Sequence, residues 1–119
     1  MMKFDHLNLP VSDLERSRAW WTGTLGLTVE FEVAATRTVS LQDGEGFAIF
    51  LQEKPGAASN GVALWFQVDD VDKTFADWTA RGVMFSHEPQ KNFWGYGAEL
   101  ADPDGYLVRL WDEESMREK

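Results

Sequence analysis

Apolar and polar positions run along this chain in one succession that occurs twice. In KFDHLNLP, Leu7 and Leu9 alternate with His6, Asn8 and Pro10, the two-residue period of a half-buried strand. That strand is expected over about 3–10. An amphipathic helix follows, with Ser12 or Asp13 supplying the N-cap oxygen and Gly26 the stop. Three further strands are expected over about 27–34, 37–42 and 46–52, with QDGEG as a tight turn. The pattern then restarts. A strand over about 61–68 leads to a helix opened by Asp69 or Asp70 and closed by Gly82. Strands over about 83–88, 96–101 and 106–112 complete it, and DPDG makes the last turn.

Superposing the two stretches gives an internal duplication. At an offset of 57, Leu7 meets Leu64, Val11 meets Val68, Asp13 meets Asp70 and Trp21 meets Trp78. At an offset of 59, Gly46 meets Gly105, and GFAIFLQE lies over GYLVRLWD. The expected fold is α+β, two tandem βαβββ modules in one domain spanning 1–119. Module one covers about 1–53, a linker about 54–60, module two about 61–112, and a charged tail 113–119.

Composition narrows the partners. The net charge of −9, with eleven scattered Lys and Arg, argues against nucleic acid, which needs a basic footprint. An acidic surface serves solubility and also steers cations toward a cleft. No apolar run approaches the ~20 residues of a membrane span, and MMKFDH lacks a signal-peptide core. No membrane partner and a cytoplasmic home are therefore expected. The absence of cysteine excludes disulfides, thiolate zinc sites and Cys nucleophiles.

Strand parity divides the side chains between two faces. The aliphatic faces belong beneath the helices. The mixed faces carry His6, Asn8, Phe50, Gln52, Trp65, Gln67, Glu99, Arg109 and Trp111. Trp94 and Tyr96 stand in the glycine-flanked NFWGYG, expected as a loop over the mouth of a pocket. These eleven residues are the candidate ligand contacts. Each also has a plainer reading: His6 as a hydrogen-bonded pocket-floor residue, the aromatic rings as filling, and Arg109 as the ion-pair partner of Glu99. Of the helical tryptophans, at least one of Trp20 and Trp21 is expected in the core, and so is Trp78.

Three segments, HLNLPVSDLERSRAWWTGTLGL, VALWFQVDDVDKTFADWTARGV and FWGYGAELADPDGYLVRLWD, resemble the vicinal oxygen chelate superfamily of glyoxalases, extradiol dioxygenases and bleomycin-binding proteins. The resemblance implies paired βαβββ modules and commonly a homodimer with cups between subunits. It also implies four metal-ligand positions in the metal-using members, which here fall on His6, Phe50, Ala63 and Arg109. Only His6 has a ligating side chain, so neither metal nor cofactor is expected. No nucleophile stands beside a base, and no catalytic residue is assigned.

The expected function is a metal-independent binding protein, nearest the bleomycin-resistance-like members. It would hold a planar aromatic or cationic antibiotic or metabolite in aromatic cups at a homodimer interface. The alternative is a glyoxalase- or dioxygenase-like enzyme with a non-standard site. A purely structural dimer is the third reading.

Overall fold

The duplication is carried into the hydrogen-bond register. In the computed structural model, which describes residues 1–119, Met1–Ser59 and Asn60–Lys119 form two compact units, each built as β-α-β-β-β. The first contains β1 (Leu7–Val11), α1 (Leu14–Gly23), β2 (Thr28–Val33), β3 (Thr38–Gln42) and β4 (Ala48–Glu53). The second contains β5 (Ala63–Gln67), α2 (Val71–Ala80), β6 (His87–Asn92), β7 (Gly95–Ala101), β8 (Leu107–Trp111) and a terminal α3 (Glu113–Glu118). The sheet orders are β1-β4-β3-β2 and β5-β8-β7-β6, with the first pair of each parallel and the rest antiparallel. Leu7 pairs with Ile49 and Leu64 with Val108, the same register in both copies. The fold is α+β, two tandem modules, as expected.

Each helix starts the same way. Asp13 accepts from the Arg16 N–H and Asp70 from the Lys73 N–H, both at 3.0 Å. A second carboxylate, one strand away, takes the first helical N–H: Glu53 from Leu14 at 3.0 Å and Asp112 from Val71 at 2.6 Å. These bonds satisfy donors that a helix start otherwise leaves orphaned. One sheet face packs under the helix. Leu9, Val11, Trp21, Val39, Leu41, Ile49 and Leu51 form the first core, and Val71, Ala98, Leu100, Tyr106, Val108 and Leu110 the second.

Four expectations need correction. β1 begins at Leu7, so His6 precedes the strand instead of sitting inside it; Phe4 and His6 stack on Phe47 and Phe50, and residues 3–6 have no ladder partners. β6 is the polar HEPQKN, four residues later than expected. The apolar Phe85 packs on Phe75 and Trp78, with ring centroids 4.8 and 6.2 Å apart, and so belongs to the helix connection. Pro89 is tolerated there because β6 is an edge strand. The charged tail is a helix, whose start is capped by Asp112 through the Ser115 N–H at 2.6 Å. Trp21 is fully buried, but its repeat-mate Trp78 is only half-buried, stacked under Arg81.

Candidate functional site

Each sheet has a second face, opposite the one that packs under α1 or α2, and the two units furnish theirs differently. In the first, β1 and β4 set Asn8 beside Phe50 and Pro10 beside Gln52, and β3 sets Ser40 beside Phe50. The His6 imidazole stacks on the Phe50 ring at 3.6 Å between centroids and 15° between planes. Its Nδ1 lies 2.8 Å from an Asp5 carboxylate oxygen. Phe31 meets Phe50 edge-on at 5.5 Å. Four candidates from the sequence, His6, Asn8, Phe50 and Gln52, thus belong to one face or its margin. Phe31 is an addition, and the alternation in VEFEV was the signal for it.

In the second unit, register places Trp65 beside Arg109, Gln67 beside Trp111, and Glu99 beside Arg109. The Arg109 Nε–H donates to Glu99 at 2.9 Å, and the two side chains are 12% and 17% exposed. Three rings surround the guanidinium: Trp65 at 4.8 Å, Phe93 at 5.3 Å and Trp94 at 5.6 Å from its carbon. Trp65 and Trp94 meet edge to face at 6.0 Å. The plainer reading of Arg109 is thus realised, since it pairs with Glu99. Its terminal N–H groups form no other hydrogen bond within the protein.

NFWGYG is a strand-to-strand turn, and not a free loop over a mouth. Trp94 donates its backbone N–H to the Asn92 side chain at 2.9 Å and lays its indole against Gly97. A Cβ at Gly97 would lie 2.5 Å from the indole edge, so the close approach requires glycine. Tyr96, three residues from Glu99, falls on the other face. There its hydroxyl donates to Asp72 of α2 at 2.7 Å, which pushes the phenol up to about 12. Tyr96 therefore stands apart from the other candidates. Phe93 was missed because a turn side chain has no parity to read.

The four positions that the resemblance implies as metal-ligand positions do not fit a divalent cation. The imidazole of His6 is stacked and hydrogen-bonded, Phe50 and Ala63 offer no lone pair, and Arg109 is a fixed cation paired with Glu99. Elsewhere, the carboxylates of Asp13, Glu15 and Glu53 converge near the start of α1, where Arg37 neutralises two of them. Its guanidinium lies 2.9 Å from both Glu15 oxygens and 2.9–3.1 Å from those of Glu53. Hydrogen bonds from Arg37 and then from the Leu14 N–H hold the Glu53 carboxyl down at about 2.

No helix is long and apolar enough to cross a membrane. The chain is 29% identical to the uncharacterized protein YraH of Bacillus subtilis (strain 168), over 92% of this chain and 98% of that one. A crystal structure from Sphaerobacter thermophilus DSM 20745, described as a member of the glyoxalase/bleomycin resistance protein/dioxygenase superfamily, is similar with a TM-score of 0.74. It is 27% identical, covering 94% of this chain and 98% of its own. TnmS3, an antibiotic binding protein from Streptomyces sp. CB03234, has a TM-score of 0.75 at 24% identity, covering 94% and 96%. The family described as Glyoxalase/Bleomycin resistance protein/Dioxygenase superfamily matches residues 3–110, and with the fold and register above, the chain belongs to it.

Proposed function

We propose that the protein binds a planar aromatic small molecule without metal and without chemically altering it, and that two chains pair to form the working unit. The observation that carries this is the exposed aromatic surface around Arg109. Trp65 is 48% exposed and Phe93 89% exposed, and both rings lie against a guanidinium that itself has unused donors. Large rings left in water at one place mark a binding surface more often than a packing defect. A flat ligand would stack on Trp65 or Phe93, and an acidic or carbonyl oxygen on it would accept from Arg109. A cation is disfavoured at this spot, because Arg109 already supplies the charge that the rings attract. The antibiotic-binding role of TnmS3 agrees with this class of function.

The test is tryptophan-fluorescence titration with an anthraquinone carboxylate, its uncharged parent, an aminoalkyl congener and bleomycin. Saturable quenching, tightest for the carboxylate and weakened about ten-fold or more by Trp65→Ala at a temperature where that variant is fully folded, is the expected result. Ligands that bind Trp65→Ala as well as the parent protein, or a panel without saturable binding, would sink the reading. Sedimentation equilibrium tests the pairing: a single species at the monomer mass across the concentration range would remove it.

A further inference from the structure

The two copies of the repeat differ at one place in a way that implies a second ligand. In the C-terminal unit, Glu99 and Arg109 are register partners, and aromatic rings enclose the cation. At the offset of 59 their counterparts are Ser40 and Phe50, again register partners. Here no arginine is present. The carboxylate is supplied instead by Glu30, beside the irregularity in β2 between Val29 and Phe31. Its Oε1 accepts from the fully buried Ser40 hydroxyl at 2.8 Å, which leaves Oε2 without a protein partner.

Around it is a pocket of about 370 Å³ lined by Phe4, Phe31, Phe47, Phe50, Asp5 and Glu30 among others. The rings come in two pairs: Phe4 stacked on Phe47 at 5.9 Å, and Phe31 edge-on to Phe50 at 5.5 Å. Lys3 also lines the pocket, is exposed, and pairs with neither carboxylate. The N-terminal unit therefore has the rings and the anion of the C-terminal cluster, but no cation paired with that anion.

We propose that this pocket binds an organic cation, a substituted ammonium or amidinium. The ligand's charge would take, against Glu30 and the phenyl rings, the place that the Arg109 guanidinium takes against Glu99 and its aromatic neighbours. Ring faces attract a cation through their quadrupole, and the attraction grows as water is excluded. A carboxylate held from behind by a buried hydroxyl keeps its free oxygen available to the ligand. The inference does not depend on the stacking surface of the other unit.

The probe is choline, compared with its neutral carbon isostere dimethylbutanol, titrated into the full-length protein and followed by amide chemical shifts. Choline is expected to bind in about the millimolar range for so small a ligand, shifting residues 30–31 and 46–50, with dimethylbutanol about five-fold weaker or more. Glu30→Gln, whose amide oxygen still accepts from the Ser40 hydroxyl, should weaken choline about five-fold. Phe4→Leu, at a 63% exposed ring, should weaken it without changing stability. Trp65→Ala should leave choline binding intact. Equal affinity for choline and dimethylbutanol, full affinity in Glu30→Gln, or no choline binding would overturn the proposal. Loss of choline binding in Trp65→Ala would overturn it too, by moving the cation to the other unit. Failure of the anthraquinone titration would leave it standing.

Discussion

Replacing Arg109 by Met removes a charge that is almost fully desolvated and leaves its shape roughly filled. The guanidinium is 12% exposed and Glu99 17% exposed, so solvent screens the pair poorly. Deleting one member strands the other, at a cost of about 3–5 kcal/mol for buried pairs. Contacts with three rings at 4.8–5.6 Å add about 0.5–1 kcal/mol each, because Trp65 and Phe93 stay partly in water. Methionine restores part of the packing, and with the edge of the cluster in water the net loss should be about 3 kcal/mol. Glu99→Gln should cost about 2 kcal/mol, since Arg109 keeps its rings. The double variant should also cost only about 2 kcal/mol, because no stranded charge remains. The coupling between the two positions is then about 3 kcal/mol, at the upper end for contacting residues. Urea denaturation of the four proteins measures it, provided the slope with denaturant is unchanged. Additive losses in the double variant would refute the coupling. A loss below about 1 kcal/mol in Arg109→Met would show the cluster to be surface packing of little consequence.

Asp112 is 2% exposed and serves two helix starts, accepting from Val71 and Ser115, so Asp112→Ala should cost about 2 kcal/mol, one cap each; a loss no larger than that of Asp70→Ala would show that one bond is idle. Tyr96 and Tyr106 are the only two tyrosines. Asp72 raises the first phenol to about 12, and burial raises the second, so tyrosinate absorbance should stay low at pH 10. Raised values mean that stability is present below pH 10 and is lost as pH climbs through about 12; Tyr96→Phe should remove that part of the alkaline loss. Glu53 is the reverse case. Its lowered value gives stability that is present above pH 4.5 and lost as pH falls toward 2, and Arg37→Ala should flatten that acid limb of the urea midpoint.

The repeat was legible because both copies kept the residues that local physics makes hard to replace. Asp13 and Asp70 cap their helices, and Asp43 and Asp102 close their turns with paired backbone N–H bonds. β6 was misplaced because Val83, Met84 and Phe85 look like a strand, whereas Phe85 is claimed by α2 and a polar edge strand needs no apolar period. The last helix went unseen because its support is one buried carboxylate, Asp112, and Met116 packing near Gly95. Neither leaves a periodic trace in six residues.

The site divides along the same line between what the ladder determines and what it does not. Parity alone put Trp65, Glu99 and Arg109 on one face, since the parallel pairing of β5 with β8 and the antiparallel pairing of β7 with β8 make them neighbours. Parity also set Tyr96 on the opposite face from Glu99, once β7 is known to begin at Gly95. Phe93, Phe4 and Glu30 lie in a turn, ahead of a strand and beside a ladder irregularity, where side-chain direction follows from tertiary contacts. Those three belong to the least symmetric part of the repeat. Register preserved the scaffold in both copies, while the irregular positions were free to diverge, one unit enclosing its own cation and the other presenting rings and an anion paired with no cation. Duplicated scaffolds can acquire different ligand preferences in this way without any change in topology.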